Sequence, residues 1–179
     1  LASTPAMFMT PVNDEVQATA SVMVTASHLP YNRNGLKFFT PKGGLDSSDI
    51  AAILDIAERA DYGYDGAAGS SDRLDFMAIY SRHIADYICQ GVQANDYQHP
   101  LKGMHIVVDA GNGGGGFFEK ILSQLGADTQ GSLFLDPDGR FPNHIPNPEN
   151  AEAMASVCRA VADSNAYLGV IFDTDVDRS

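Results

Sequence analysis

The chain has 179 residues, 44% of them hydrophobic, and carries 11 Lys+Arg against 23 Asp+Glu, a formal net charge of −12. The length allows one or two domain cores of ordinary size, and so acidic a surface repels nucleic acid and anionic membranes, which argues against both as partners. No apolar stretch approaches a membrane span and no secretory leader is visible; Cys89 and Cys158 both sit in apolar helical patterns and read as buried free thiols, which fits a reducing, cytoplasmic setting.

Ser3-Thr4-Pro5 marks a helix start, with proline near the first helical position. The apolar run Ser21-Val22-Met23-Val24 reads as a buried strand feeding the polar turn Thr25-Ala26-Ser27-His28-Leu29-Pro30. A loop at a strand end can hold a hydroxyl rigidly beside a histidine and a lysine, so Ser27, with His28 and Lys37, is a candidate phosphoryl carrier; the plain alternative is a turn-capping serine. Asn34-Gly35 forms a tight turn into the strand Leu36-Lys37-Phe38-Phe39 and carries Lys37 back toward Ser27. Ser47 or Ser48 caps a helix striped by Ile50, Ile53, Leu54 and Ala57. Gly63 to Ser71 is a loop, and Met77, Tyr80, Ile84, Tyr87 and Ile88 stripe a longer helix.

A second unit begins near Pro100, which divides the chain into residues 1–98 and 99–179. Met104 to Asp109, Ser132 to Leu135 and Tyr167 to Phe172 read as strands; Phe117 to Leu125 and Pro148 to Asp163 read as helices. Asn147-Pro148-Glu149 caps the second of these, whose buried side is Met154, Val157, Cys158 and Val161. The β-α-β-α-β order predicts an α/β fold, a parallel or mixed sheet with helices on its faces, and ligand loops at the carboxyl ends of the strands.

The last predicted strand runs into Asp173-Thr174-Asp175-Val176-Asp177-Arg178-Ser179. Carboxylates at alternate positions of a loop can converge as hard oxygen ligands for Mg²⁺, and their mutual repulsion calls for a cation. The phosphoserine-type loop at Thr25 to Pro30, followed by Asn34-Gly35-Leu36-Lys37, together with Asp173 to Arg178, resembles the alpha-D-phosphohexomutases, the family of phosphoglucomutases and phosphomannomutases. Ser3 to Phe8 and Val108 to Gly113 also look like family segments. The resemblance implies three-layer αβα domains with mixed sheets, two of them partial here. It further implies that Ser27 is phosphorylated and that Asp173, Asp175, Asp177 and a phosphoserine oxygen of Ser27 hold Mg²⁺, with Mn²⁺ as a substitute. Lys37 would serve acid-base chemistry, His28 would donate a hydrogen bond to the serine or phosphate, and Arg178 would support the phosphoryl group or the sugar. The implied substrate is a hexose phosphate, with a sugar bisphosphate as activator.

Thr174 and Val176 stand where glycines are frequent in that family, and Leu29 where asparagine is. The sugar-recognition and phosphate-binding loops expected in the family's third and fourth domains do not occur in these 179 residues, so the chain reads as a fragment, inactive alone and prone to self-association. Because the net charge is negative, Mg²⁺, Arg33, Lys37 and Arg178 would have to create the local positive potential a phosphosugar needs.

Other chemistries compete for the same residues. Gly111 to Gly116 satisfies G-x-G-x-x-G, a dinucleotide pattern, although a close strand-to-helix turn accounts for it better. Asp173-Thr174-Asp175 fits a haloacid-dehalogenase-like phosphotransferase with Asp173 as nucleophile. A calcium EF-hand fails because Arg178 stands where glycine is needed, and a non-catalytic metal-binding module is the non-enzyme alternative. His83, His99, His105 and His144 show no metal-ligand spacing and read as surface or satisfied structural residues.

Overall fold

The computed structural model describes residues 1–60, 62–63 and 66–179. Helix α1, Thr4–Met9, starts where the sequence predicts: the Ser3 side chain caps it by accepting from the Ala6 amide at 3.2 Å, and Pro5 sits in its first turn. Strands β1 (Ser21–Val24) and β2 (Leu36–Thr40) pair antiparallel, with Met23 opposite Lys37, and β2 pairs with the short β3, Gly43–Gly44. Helix α1 lies on this sheet, where Phe8 meets Phe39 edge to face at 5.4 Å. Strand β1 is buried at Ser21 only, and Val22 and Val24 are exposed, so the expected buried strand is half open.

Asn34-Gly35 is not itself the hairpin turn. Residues 25–35 form one long loop with turns at 27–28 and 31–32, closed by the Thr25 amide donating to the Gly35 carbonyl at 3.0 Å. Glycine is needed there because a Cβ at position 35 would lie 2.9 Å from the Thr25 carbonyl oxygen. Helix α2, Ser47–Arg59, is capped by Asp46 rather than by either serine, since the Asp46 carboxylate reaches the amides of both Ser48 and Asp49 while Asp49 reaches back to complete a capping box. No residue of α2 is fully buried: Ile50 and Ile53 are half-buried, and Leu54 and Ala57 are exposed. In the loop expected from Gly63 to Ser71, Tyr64 and Asp65 lie outside the described residues, and the others carry no helix or strand.

Helix α3, Phe76–Val92, turns Ile84, Ala85, Ile88 and Cys89 toward the core of the second half of the chain, while Tyr87 points outward. That core is organised by β4, Ile106–Asp109, whose four residues are all buried, paired in parallel with β5, Leu168–Ile171. Alternate side chains of a strand leave opposite faces. Ile106 and Val108 therefore pack with α3 and with α4 (Gly116–Gln124), and Val107 packs with α5 (Ala151–Ser164). Helices on both faces of the sheet make this half an α/β/α sandwich.

Three local expectations fail here. Residues 132–135 form no strand: Leu133 bridges β4 through bonds to Val108 and Ala110, but Phe134 turns into the left-handed region with φ 51° and ends the pairing. The cap of α5 is Asn150, whose side chain accepts from Glu152 and Ala153, while Asn147 caps only a local turn onto Glu149. The buried side of α5 is Ala153, Ser156 and Val157, whereas Met154 and Cys158 are exposed; of the two free thiols only Cys89 is buried.

His144 is the satisfied structural histidine the sequence suggests. Its ring joins the buried Asp109 carboxylate, 3.0 Å from Nε2, to the Ile145 carbonyl, 3.0 Å from Nδ1. Asp109 also accepts from the Ser156 hydroxyl and the Gly111 amide, so one carboxylate ties the end of β4 to α5 and to the 141–148 connector.

The glycine run serves close packing. A Cβ on Gly113 would lie 2.7 Å from the Thr174 carbonyl oxygen, and one on Gly116 would lie 2.2 Å from that of Leu135. The Gly114 amide donates to Thr174 O at 2.7 Å, so the run is the seat of the aspartate loop. Gly116→Ala is expected to lower stability by about 1–3 kcal/mol, because the obstacle is backbone that cannot swing aside. Urea unfolding with an unchanged m-value and a lower midpoint is the expected result, and an unaltered midpoint would contradict it.

Candidate active site

Ser27 and the aspartate loop are 146 residues apart in sequence and touch in the fold. Ser27, in the left-handed region at φ 52°, donates through Oγ to Asp173 Oδ2 at 2.9 Å and accepts from Arg178 Nη2 at 2.8 Å. A non-glycine residue at positive φ is uncommon, and here the Ser27 amide is held by Thr25 Oγ1 at 2.9 Å. His28 and Lys37 do not touch the hydroxyl. His28 Nδ1 accepts from Arg178 Nη2, and Lys37 Nζ donates to Asp175 Oδ2 at 3.0 Å and Asp177 Oδ2 at 2.8 Å.

The loop is shaped around Asp173, whose Oδ1 accepts from the amides of Asp177 and Arg178 and whose Oδ2 accepts from Ser27 and Arg178. Val176 has φ 66°, a strained conformation for a β-branched residue, at one of the positions where a glycine would relax the loop. Its side chain packs onto the core beside α4, which helps hold the turn.

One carboxylate oxygen from each of Asp173, Asp175 and Asp177 lies within 4.8 Å of the others, with Asp173 and Asp175 buried and Asp177 exposed. Oxygen-only donors in a tight group suit a hard divalent ion. A second observation points the same way: Asp175 Oδ1 is buried and has no hydrogen-bond partner among the described residues, a costly state for a carboxylate oxygen unless a cation takes it. The residues present therefore fit Mg²⁺. A cavity of about 220 Å³ adjoins Ser27, bordered by Thr25, Tyr31, Arg33, Phe141 and Asp175.

The electrostatics divide the aspartates. Desolvation pushes the Asp173 carboxyl up, against the Ser27 hydrogen bond, with the charges of Asp175 and Asp177 adding to the rise. For Asp175 desolvation also acts upward, but hydrogen bonds from Thr4 and Lys37 outweigh it and hold the carboxyl below the ordinary value. Lys37 is desolvated too, yet its bonds to Asp177 and Asp175 prevail and keep it protonated beyond its usual range. Ionised Asp175 thus stabilises the fold above its unfolded pKa, and that support is lost as pH falls through its lower folded value. Asp173 acts in the opposite sense, since its ionisation costs stability as pH rises through its raised folded value. Site-resolved carboxyl ¹³C titration in chelator should find Asp175 below and Asp173 above the ordinary 3.8; the reverse order would refute the assignment.

Ser27, Asp173, Asp175, Asp177, Lys37, Arg178 and His28 converge as one cluster, whereas Arg33 only borders the adjacent cavity. Sequence reasoning gave no role to Thr4 and Thr25, which donate to Asp175 Oδ2 at 2.7 and 3.0 Å. No helix among the described residues is long and apolar enough to cross a membrane.

Comparison with known proteins identifies the family. Residues 79–179 match the family model described as Phosphoglucomutase/phosphomannomutase, alpha/beta/alpha domain II, and residues 1–63 match the corresponding domain I. A phosphoglucomutase of Neisseria meningitidis serogroup B is 32% identical over 99% of this chain and 36% of its own length. A Xanthomonas campestris protein named for phosphohexose mutases is 37% identical over 92% of this chain and 36% of its own. The crystal structure of a phosphoglucomutase/phosphomannomutase family protein from Burkholderia thailandensis superposes with a TM-score of 0.73 at 25% identity, covering 98% of this chain and 37% of that one. The chain spans about a third of the length of the curated relatives it matches.

Proposed function

This chain belongs to the phosphoglucomutase/phosphomannomutase family of isomerases, and we propose from that premise that it carries the phosphoserine and metal loops of a phosphohexomutase interconverting hexose 1-phosphate and hexose 6-phosphate. The observation that supports this best is the Ser27 hydroxyl held between Asp173 and Arg178, beside carboxylates that fit a divalent ion. Phosphorylated Ser27 donates its group to a sugar hydroxyl: the Oγ–P bond breaks, a sugar O–P bond forms, and the hydroxyl proton passes to Lys37 Nζ only after the lysine, released from Asp175 and Asp177, has lost its own proton to solvent. The resulting bisphosphate reorients and returns its other phosphoryl group to Ser27 Oγ, regenerating the phosphoserine. Arg178 Nη2, already on that oxygen, bears the charge that develops there, and His28 holds the guanidinium in place. Mg²⁺, or Mn²⁺ in its stead, would be held by Asp173, Asp175, Asp177 and a phosphoserine oxygen, and would supply neutralisation of the transferring phosphoryl group. A cytoplasmic setting, a sugar bisphosphate activator, and a hexose phosphate as partner in place of nucleic acid or membrane belong to the same proposal.

The haloacid-dehalogenase-like alternative fares worse in this geometry. Asp173 is fully buried and its two oxygens already receive the Ser27 hydroxyl, Arg178 and two backbone amides, so a phosphoryl group attached there would have to displace several donors.

Intact-mass measurement after incubation with glucose 1,6-bisphosphate and Mg²⁺ tests the proposal. One phosphoryl adduct on Ser27 is expected when these residues are tested within the intact enzyme, and none there would sink the reading. The 179 residues alone are expected to give no steady turnover of glucose 1-phosphate or mannose 1-phosphate in a coupled assay. The Ser27 cavity is open and small, and misplacing a substrate by about 1 Å costs roughly 10²-fold in rate. Turnover in the ordinary enzyme range, roughly 1–10³ per second, would contradict that expectation.

A further inference from the structure

The two oxygens of Asp175 live in opposite environments. Oδ2 receives three donors, Thr4 Oγ1 at 2.7 Å, Thr25 Oγ1 at 3.0 Å and Lys37 Nζ at 3.0 Å, while Oδ1 is buried with no hydrogen-bond partner among the described residues. A carboxylate free to rotate would share its donors between both oxygens. Three donors converging from one side fix the rotation about the Cβ–Cγ bond and leave the opposite oxygen bare. The two threonines come from separate elements, Thr4 from the first turn of α1 and Thr25 from the end of β1, and each makes a second bond that fixes its own position. The Thr4 amide donates to the Asp175 carbonyl at 2.8 Å, and Thr25 Oγ1 accepts from the Ser27 amide at 2.9 Å. Thr25 therefore touches the metal loop through its proton and the serine loop through its lone pair.

We infer that Thr4 and Thr25 are positioning residues that clamp Asp175 through Oδ2 so that Oδ1 would be presented to a divalent cation, and that Thr25 thereby ties the aspartate loop to the Ser27 loop. This rests on the phosphohexomutase reading for the identity of the cation. Outer partners that orient a ligand carboxylate are typically worth about 10–100-fold in metal affinity. Lys37 cannot replace them, because its flexible stem follows the carboxylate, whereas the hydroxyl of Thr4 is fixed by a capped helix and a backbone bond.

Calorimetry with Mg²⁺ on the 179-residue chain decides the matter, with melting temperature measured in chelator and in Mg²⁺. Thr4→Val and Thr25→Val should each weaken Mg²⁺ about 10–100-fold and shrink the Mg²⁺-induced rise in melting temperature. Thr4→Ser and Thr25→Ser, which keep the hydroxyl, should bind within a few-fold of the parent. Parent-like Mg²⁺ affinity in both valine variants would overturn the clamp while leaving the mutase reading intact. A lower melting temperature in chelator with the full Mg²⁺-induced rise preserved would mean a merely structural role and would also overturn it. If the parent chain binds no Mg²⁺, the metal assignment falls and the clamp with it. Should Thr4→Val lose its circular dichroism spectrum, Thr25→Val carries the test, since Thr25 is only half-buried.

Discussion

Ser27→Ala is expected to abolish the phosphoryl adduct completely while leaving the fold intact. The hydroxyl is the only atom removed, and its two contacts, to Asp173 and Arg178, join groups that remain bonded to each other through the guanidinium. Alanine meets the same backbone strain at φ 52° as serine does, so the loop keeps its path. The Ser27 amide still reaches Thr25 Oγ1, and Asp175 keeps its three donors. Parent and variant should therefore share a melting temperature to within a few degrees and differ wholly in the mass of the species formed with a sugar bisphosphate. An adduct that survives the substitution would place the group elsewhere. If that adduct were cleaved by hydroxylamine, as an acyl phosphate is and a phosphoserine is not, an aspartate would be the carrier after all.

The second half of the fold was readable because its sequence obeys two simple periods. Four apolar or acidic residues at 106–109 sit between helices whose apolar residues recur at helical spacing, and the sheet buries both of its faces as such runs require. The aspartate loop was readable for a chemical reason, since alternating carboxylates after a buried strand have few stable uses without a cation. Less legible was whatever depends on partners distant in sequence. Nothing local says that Leu54 and Ala57 of α2 stay exposed, or that Val22 and Val24 face outward. The capping errors were closer contests: Asp46 and Asn150 outcompete neighbouring Ser47 and Asn147 because their side chains, one residue before the helix, reach the second and third amides. Residues 132–135 were misread because Phe134, a strong strand former, takes a left-handed conformation that only the tertiary setting imposes, with its ring against His144 at 5.4 Å. Thr4 and Thr25 carry no sequence signal of their function beyond their place in two recognisable segments, because what matters is a shared carboxylate more than 140 residues away.

Asp175→Asn is expected to remove divalent-cation binding altogether, and the reason lies in which atom goes where. A carboxamide has one oxygen and one nitrogen to place in a site where Oδ2 accepts three bonds and Oδ1 accepts none. If the amide oxygen keeps the three donors, its NH₂ group occupies the position of the bare Oδ1 and points hydrogens at the cation. If the group flips, the NH₂ faces the Lys37 ammonium and two hydroxyls that already donate, and three bonds to a charged acceptor are lost at once. Both placements fail, so no relaxation of the side chain recovers the site, and the loss of one negative charge weakens attraction for the cation in either case. Asp177→Asn differs because Asp177 is exposed and retains solvent as an alternative ligand; its effect should be a weakening rather than a loss. Calorimetry with Mg²⁺ and with Mn²⁺ should show measurable binding by the parent chain, weaker binding by Asp177→Asn and none by Asp175→Asn. Equal binding by the parent and by a variant with asparagine at 173, 175 and 177 would remove the cation from this site.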